Sequence, residues 1–159
     1  MCVIIDADVA ALVFRDAPDP GFVPVLDWLS KPLRDGRLVY GGRLTKQLFR
    51  VARAQLAILE LDRAGRATRF PDSEVEAERR RVKGFRLCKS NDEHIIALAI
   101  VSGARTLCSR DTDLHEDFKN RALIDKPRGR VYRDASHAGL LTHTASCRRQ
   151  QRKLASGSF

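Results

Sequence analysis

The sequence predicts an α/β fold: a mostly parallel central sheet with helices on both faces. Short apolar runs alternate along the chain with segments of helical spacing. The first run, Cys2 to Ile5, is continuously apolar, as expected of a strand buried on both faces. Glycine or proline then punctuates the junctions at Gly36, Gly41-Gly42, Gly65, Pro71 and Gly103. A repeated strand-helix order of this kind implies parallel strands joined by helical crossovers.

After the first strand, Asp8 stands where it can cap a helix carrying Val9, Leu12 and Val13. Prolines at 18, 20 and 24 with Gly21 mark a loop. A second helix, near Val25 to Leu33, buries Leu26 and Leu29, with Trp28 as a further candidate. Arg37 to Tyr40 is the second strand. Leu44, Leu48, Val51, Ala52, Gln55 and Leu59 then keep one helical spacing up to Gly65. Ala67 to Phe70 reads as a short edge strand closed by Pro71. Asp72 caps the next helix, in which Glu74, Glu76 and Glu78 precede Arg79, Arg80, Arg81 and Lys83. That order suits the helix macrodipole, and the charged surface reads as a solvated face.

Ser90-Asn91-Asp92-Glu93 has capping-box spacing and opens a helix with Ile95, Ile96 and Ala99 inward. Gly103 ends it. Arg105 to Ser109 is a further strand, Asp111 to Phe118 begins a helix, and Arg130 to Tyr132 is the last strand before a short segment, His137 to His143. Residues 1–143 thus read as one domain. Residues 144–159 carry Arg148, Arg149, Arg152 and Lys153 among polar residues and read as a basic, disordered tail.

A chain of 159 residues, 43% hydrophobic and 31% charged, suits a single soluble domain with a real core. Its longest apolar run, Ile95 to Val101, is too short to cross a bilayer. No secretory signal is visible, so a cytoplasmic location is expected and a membrane partner is not. Cys2, Cys88, Cys108 and Cys147 contain no Cys-x-x-Cys pair, which suggests neither a zinc site nor a disulfide framework. Cys108, inside an apolar run, reads as a buried structural thiol. The histidines also lack zinc-motif spacing. A net charge of +9 attracts polyanions, yet a plain basic surface explains it equally well by itself.

Charge gains meaning beside the acids. Asp6 ends the first strand, Asp92 opens the central helix, and Asp111 and Asp113 follow the Arg105 to Ser109 strand. Ligand sites in open α/β sheets lie beyond the carboxyl ends of the strands, where acids from distant segments can meet. Gathered carboxylates repel one another and call for a cation. Oxygen ligands suit Mg²⁺ or Mn²⁺, which activate water and stabilise a leaving oxygen in phosphodiester hydrolysis. Each acid also has a structural reading: Asp8 as a cap or a metal-shell residue, Glu93 as half of a capping box, Asp113 as a partner of its own helix turn. Asp6 and Asp111 stand at strand ends where no cap is evident.

These three segments resemble PIN-domain nucleases, the group that includes the toxin ribonucleases of bacterial toxin–antitoxin pairs. Val3-Ile4-Ile5-Asp6-Ala7-Asp8 matches the family's opening strand. Asp92-Glu93-His94-Ile95-Ile96-Ala97 matches its central helix, and Ser109-Arg110-Asp111-Thr112-Asp113 its Thr/Ser-x-Asp-x-Asp turn. The resemblance covers Met1 to Tyr132 and implies a PIN-like fold, Mg²⁺ or Mn²⁺ at Asp6, Asp92, Asp111 and Asp113, and RNA as substrate. It also implies an antitoxin or other protein partner, with a homo-oligomer as a further expectation. Ser109 is expected to orient a carboxylate or the nucleophilic water, and Arg43, Lys46, Arg110 and Lys119 to contact phosphates. Gly41 and Gly42 either let a substrate backbone approach or simply make a turn.

One position departs from the pattern: Gln47 stands where the family carries a Glu. Two functions therefore remain open, a metal-dependent endoribonuclease and a non-catalytic RNA-binding or regulatory protein on the same fold. A phosphatase of the haloacid-dehalogenase type, suggested by Asp6-Ala7-Asp8, lacks room after Ser109 for the remaining machinery.

Overall fold

The computed structural model describes residues 1–142 and Cys147. Apart from that cysteine, the expected basic tail lies outside the described residues. Five parallel strands form one sheet: β1 (Cys2–Ile5), β2 (Arg37–Gly41), β3 (Ala67–Phe70), β4 (Thr106–Cys108) and β5 (Arg130–Tyr132). Their order is β3-β2-β1-β4-β5, with Val3 beside Leu38 and Ile5 beside Cys108. β1 is the middle strand, and all four of its residues are buried, as its unbroken apolar run requires.

Helices α1 (Ala7–Val13) and α2 (Val23–Ser30) join β1 to β2, and α3 (Arg43–Phe49) and α4 (Ala52–Arg63) join β2 to β3. The chain then returns through α5 (Asp72–Phe85) and α6 (Glu93–Ser102) to β4, and α7 (Thr112–Lys119) leads to β5. A 3-10 segment, Ala135–Thr142, follows. Parallel crossovers are right-handed, so reversing direction across β1 moves the later helices to the opposite face of the sheet. The junction of β1 and β4 is the switch point, where strands part in opposite directions and a crevice opens. The backbone N–H of Asp6 donates to Cys108 O at 3.0 Å, which pins this crevice at its base.

α6 is the helix most enclosed by the fold: His94 through Ala99 are all buried. Gly103 ends it in the left-handed conformation. The buried guanidinium of Arg105 donates to Ala99 O and Pro127 O, tying the end of α6 to the loop before β5. α5 is less purely solvated than its charges imply, since Val75 and Val82 are buried and Arg79 is 11% exposed in a two-pronged pair with Glu76. Among the described residues no helix is long and apolar enough to cross a membrane.

Several expectations are corrected. Asp6, not Asp8, caps α1, with its side chain accepting from Ala7 N. Ser90 and Glu93 form no capping box; Asp92 holds the cap position, and Ser90 turns to the buried Asp117 instead. Pro71 rather than Asp72 precedes α5, and the Asp72 carboxylate accepts from Gly42 N at 2.9 Å. The single helix expected from Leu44 to Gly65 breaks at Arg50–Val51, with neither glycine nor proline to signal it. Leu33, expected at a helix end, is 99% exposed, and α2 buries Val25, Trp28 and Leu29.

A disulfide is also present. Cys2 and Cys147 are bonded, with Cα atoms 5.7 Å apart, and the Cys147 N–H faces the Cys2 sulfur at 3.1 Å. Nothing in their spacing pairs two cysteines 145 positions apart; the folded backbone alone brings them together. Cys108 is buried and its thiol pKa is pushed up by desolvation, as a structural cysteine should be.

Candidate active site

Three of the four expected acids meet at the switch point. Asp6, Asp8, Gln47, Arg50, Asp92 and Asp111 line one cavity of about 560 Å³, with Ala7, Ala11 and Val51 completing its walls. Asp6 arrives from β1, Asp92 from the start of α6 and Asp111 from the turn after β4. Four carboxylates from three distant parts of the sequence therefore share one opening.

Ser109 links two of these acids. It is fully buried, and its Oγ donates to Asp6 Oδ2 at 3.2 Å while accepting from Asp111 N at 3.1 Å. The carbonyl of Ser109 accepts from His115 Nε2 at 2.6 Å, which fixes the turn from below. Ser109 thus bonds one carboxylate, that of Asp6, and the backbone of Asp111. Asp6 Oδ1 accepts from Ala7 N at 2.8 Å, and Asp111 Oδ1 accepts from Asp113 N and Leu114 N at 3.0 and 3.2 Å. Both acids are therefore helix caps after all. Each still turns into the cavity, so capping and cavity lining coincide.

Asp92 differs. It holds the cap position of α6 with no capping bond from its side chain. Its N–H donates to Ser90 Oγ at 3.3 Å, and Ser90 is held by Asp117, whose two oxygens accept from Lys89 N, Ser90 N and Ser90 Oγ. This buried carboxylate on α7 is a positioning residue that sequence spacing does not reveal. Burial, then the charges of Asp6 and Asp111, push the Asp92 pKa up to about 6. The Asp6 pKa is raised as well, chiefly by burial, with the bonds from Ala7 and Ser109 opposing the shift.

Gln47 does reach this cavity. Its Oε1 lies 3.1 Å from His94 Nε2. Burial, followed by the charge of Arg43, lowers the His94 pKa to about 4, so the ring is neutral near pH 7. With the amide oxygen turned to the ring, the His94 tautomer that satisfies the contact carries its proton on Nε2. The Gln47 oxygen is thereby engaged by protein.

The other expected residues lie around this centre. Asp113 is exposed in the first turn of α7 and is not part of the cavity lining. Arg43 and Lys46 line a neighbouring cavity of about 290 Å³ with Gly42, Asp72 and Glu76, and Arg43 pairs with Glu76 at 3.6 Å. Arg110 pairs with Asp19 at 3.4 Å and lies over the Phe22 ring. Lys119 lies at the far end of α7. Arg50, which the sequence did not single out, is the basic side chain on the acid wall. Gly41 and Gly42 serve packing: an added Cβ would stand 2.7 Å from Phe70 O and from Val75 Cγ1, respectively.

The donor set fits a hard divalent cation. Every charged ligand offered is a carboxylate oxygen, and thiolates and imidazoles are absent from the cavity lining. Among the described residues, no three acids, histidines or cysteines converge tightly enough to ligate one ion directly. Asp92 and Asp111 still lie close enough to share a side-chain hydrogen bond, and Mg²⁺ commonly keeps several waters that bridge to carboxylates it does not touch directly. Burial first, and then the charges of Asp6 and Asp111, raise the Asp92 pKa, and a bound cation would relieve the repulsive part.

No family model, curated protein or solved structure matches the chain. Fold and cavity together define a parallel α/β domain with an acidic crevice at its switch point.

Proposed function

We propose that this chain is a PIN-like endoribonuclease that hydrolyses RNA phosphodiester bonds with Mg²⁺ or Mn²⁺, acting as a toxin of a toxin–antitoxin or defence system. The observation that carries the reading is the meeting of Asp6, Asp92 and Asp111, from three separate segments, in one cavity beyond the strand ends. Asp8 on the same wall adds a fourth carboxylate. Asp92 weighs most, because capping does not account for its placement.

In this reading Asp6, Asp92 and Asp111 hold the ion, which supplies an activated water and stabilises the departing oxygen. Asp113 acts from the first turn of α7, outside the cavity. Ser109 keeps the Asp6 and Asp111 carboxylates in a fixed relation, and Asp117 does the same for Asp92 through Ser90. Arg50 faces the substrate from within the acid wall, where a cation meets a phosphate that the carboxylates would otherwise repel. RNA is the expected substrate, an antitoxin or other protein the expected partner, and a homo-oligomer a compatible assembly. The cytoplasm is the proposed location; thiols there are kept reduced, so Cys2 and Cys147 would work as two apposed thiols.

A second reading has its own support. Gln47 replaces the acid that PIN nucleases carry, and its oxygen is already engaged by His94. The protein would then bind RNA without cutting it. Purified protein incubated with total RNA and Mn²⁺, beside Asp92→Asn and Gln47→Glu, decides between the two. The nuclease reading expects cleavage by the wild type, loss in EDTA and loss in Asp92→Asn. Cleavage by Gln47→Glu alone favours the binding protein.

A further inference from the structure

We propose that a second cavity, at the opposite end of α7 from the acids, is a phosphate subsite for the backbone of a nucleic-acid strand; its ligand class rests on the ribonuclease reading. The cavity measures about 400 Å³ and is lined by Lys119, Arg128, Arg130 and His137 over the apolar side chains of Val131 and Leu140. Lys119 is the last residue of α7, Arg130 the first of β5, and His137 comes from the 3-10 segment.

Three cations gathered in one hollow repel each other unless an anion joins them. Several basic residues elsewhere are matched by an acid: Arg79 and Arg80 by Glu76, Arg81 by Glu78, Lys89 by Glu116, Arg110 by Asp19. Among the described residues Lys119, Arg128 and Arg130 form no ion pair. Residues 143–159 contain no Asp or Glu that could supply one. From 119 to 133 the sequence carries six Lys or Arg against one acid, Asp125. Together with the basic residues of 148–153, this stretch carries most of the net charge of +9.

The hollow is built on a fixed frame. A Cβ at Gly129 would stand 2.0 Å from Phe118 O, so the loop lies directly on the end of α7. Arg105 Nε donates to Pro127 O at 2.9 Å and holds the same loop from the core side. The exposed side chains of Lys119, Arg128 and Arg130 thus project from a backbone whose placement is set before a phosphate arrives. An apolar floor also lowers the local dielectric and strengthens the attraction.

Helix α7 sets the separation of the two sites. Asp111 caps its start in the acid cavity and Lys119 ends it in the basic one, eight residues later (119 − 111). At about 1.5 Å per residue the span is roughly 12 Å. With roughly 3.4 Å of rise per stacked nucleotide, this is about three to four nucleotides. A strand with one phosphate at the acids would reach the basic hollow with a phosphate three or four nucleotides along.

The test uses a labelled 12-nucleotide RNA and fluorescence anisotropy in EDTA, so that binding is read without cleavage. Lys119→Gln and Arg128→Gln are each expected to weaken affinity about 3- to 10-fold at low salt. Each should also lower the slope of log Kd against log salt by about 0.7. Arg63→Gln, which removes a charge from exposed α4, should change neither, and a trinucleotide should bind wild type and variants alike. Equal affinity and slope in wild type and both variants overturn the proposal. So does inorganic phosphate or polyglutamate binding at the hollow as tightly as the RNA, which would make it a free-anion or acidic-peptide site. Cleavage with Mn²⁺ is scored separately. Binding lost in the variants without any wild-type cleavage sinks the nuclease reading alone, and cleavage with unaltered binding sinks the subsite alone.

Discussion

Asp92 is the residue whose position capping leaves unexplained, and its titration gives a direct test. Its pKa of about 6 lies above the ordinary 3.8. The folded protein therefore holds this proton more tightly than the unfolded chain across that interval. Stability falls as pH rises from about 4 to about 6, and the deficit persists at neutral pH. Asp92→Asn is expected to stabilise the protein at pH 7.5 by on the order of 1 kcal/mol, after allowance for solvent screening. The gain should vanish near pH 4, as read by denaturant unfolding at both pH values. Manganese should raise the Tm of the wild type and leave this variant unmoved.

Asp111 combines two roles that different substitutions separate. Asn caps helices about as well as Asp, whereas Ala loses about 1 kcal/mol at a cap. Asp111→Asn should thus keep wild-type stability while abolishing Mn²⁺-dependent cleavage, and Asp111→Ala should lose both. Cleavage retained by the Asn variant would remove this carboxylate from the metal site. The sequence placed Asp6 and Asp111 after strands and Asp92 before a helix, where they stand, but misjudged why the first two do so. A cap becomes evident only when the helix start is known to one residue, and the first turns of α1 and α7 begin directly after Asp6 and Asp111.

At the scale of elements, the turn from β2 into α3 carries the tightest constraint. Gly42 has φ +60° and its absent Cβ would meet Val75 Cγ1 at 2.7 Å. Gly42→Ala should cost roughly 1–3 kcal/mol from backbone strain alone. It should also displace Gln47, one helix length on, which a lowered Tm together with altered RNA cleavage or binding would register. An unchanged Tm would mean that the turn relaxes freely. The strands were legible because continuous apolar runs have few other uses in a chain of this composition. Helix boundaries were less so. The break at Arg50–Val51 follows no local propensity, and its effect is tertiary: it turns both residues onto the wall of the acid cavity. Asp117 was equally hidden, since its partners Lys89 and Ser90 lie 28 and 27 positions away.

Over the whole molecule, the Cys2–Cys147 bond closes nearly the entire chain into one loop. Long closed loops stabilise by restricting the unfolded chain, by roughly 2–5 kcal/mol. Cys147→Ser should lower the Tm of the oxidised protein and abolish any further effect of reducing agent. A reductant-insensitive wild type would show that the bond does not contribute. The same scale sets the two opposed charge fields, an acidic crevice at one end of α7 and a basic hollow at the other.

By itself the sequence determined the succession of the strands, the burial of β1, the inward-facing Ile95, Ile96 and Ala99 of α6, and the three acid-bearing segments. These follow from short-range patterns: apolar runs, glycine stops and acids at strand ends. Only the tertiary structure decided that Asp6, Asp8, Asp92 and Asp111 share one cavity, that Asp113 stands outside it, and that Gln47 is bound to His94. The disulfide, the Asp117 anchor and the basic hollow were decided there too. Each joins residues far apart in sequence, and only the packed sheet, with its reversal of direction at β1, specifies which distant groups become neighbours.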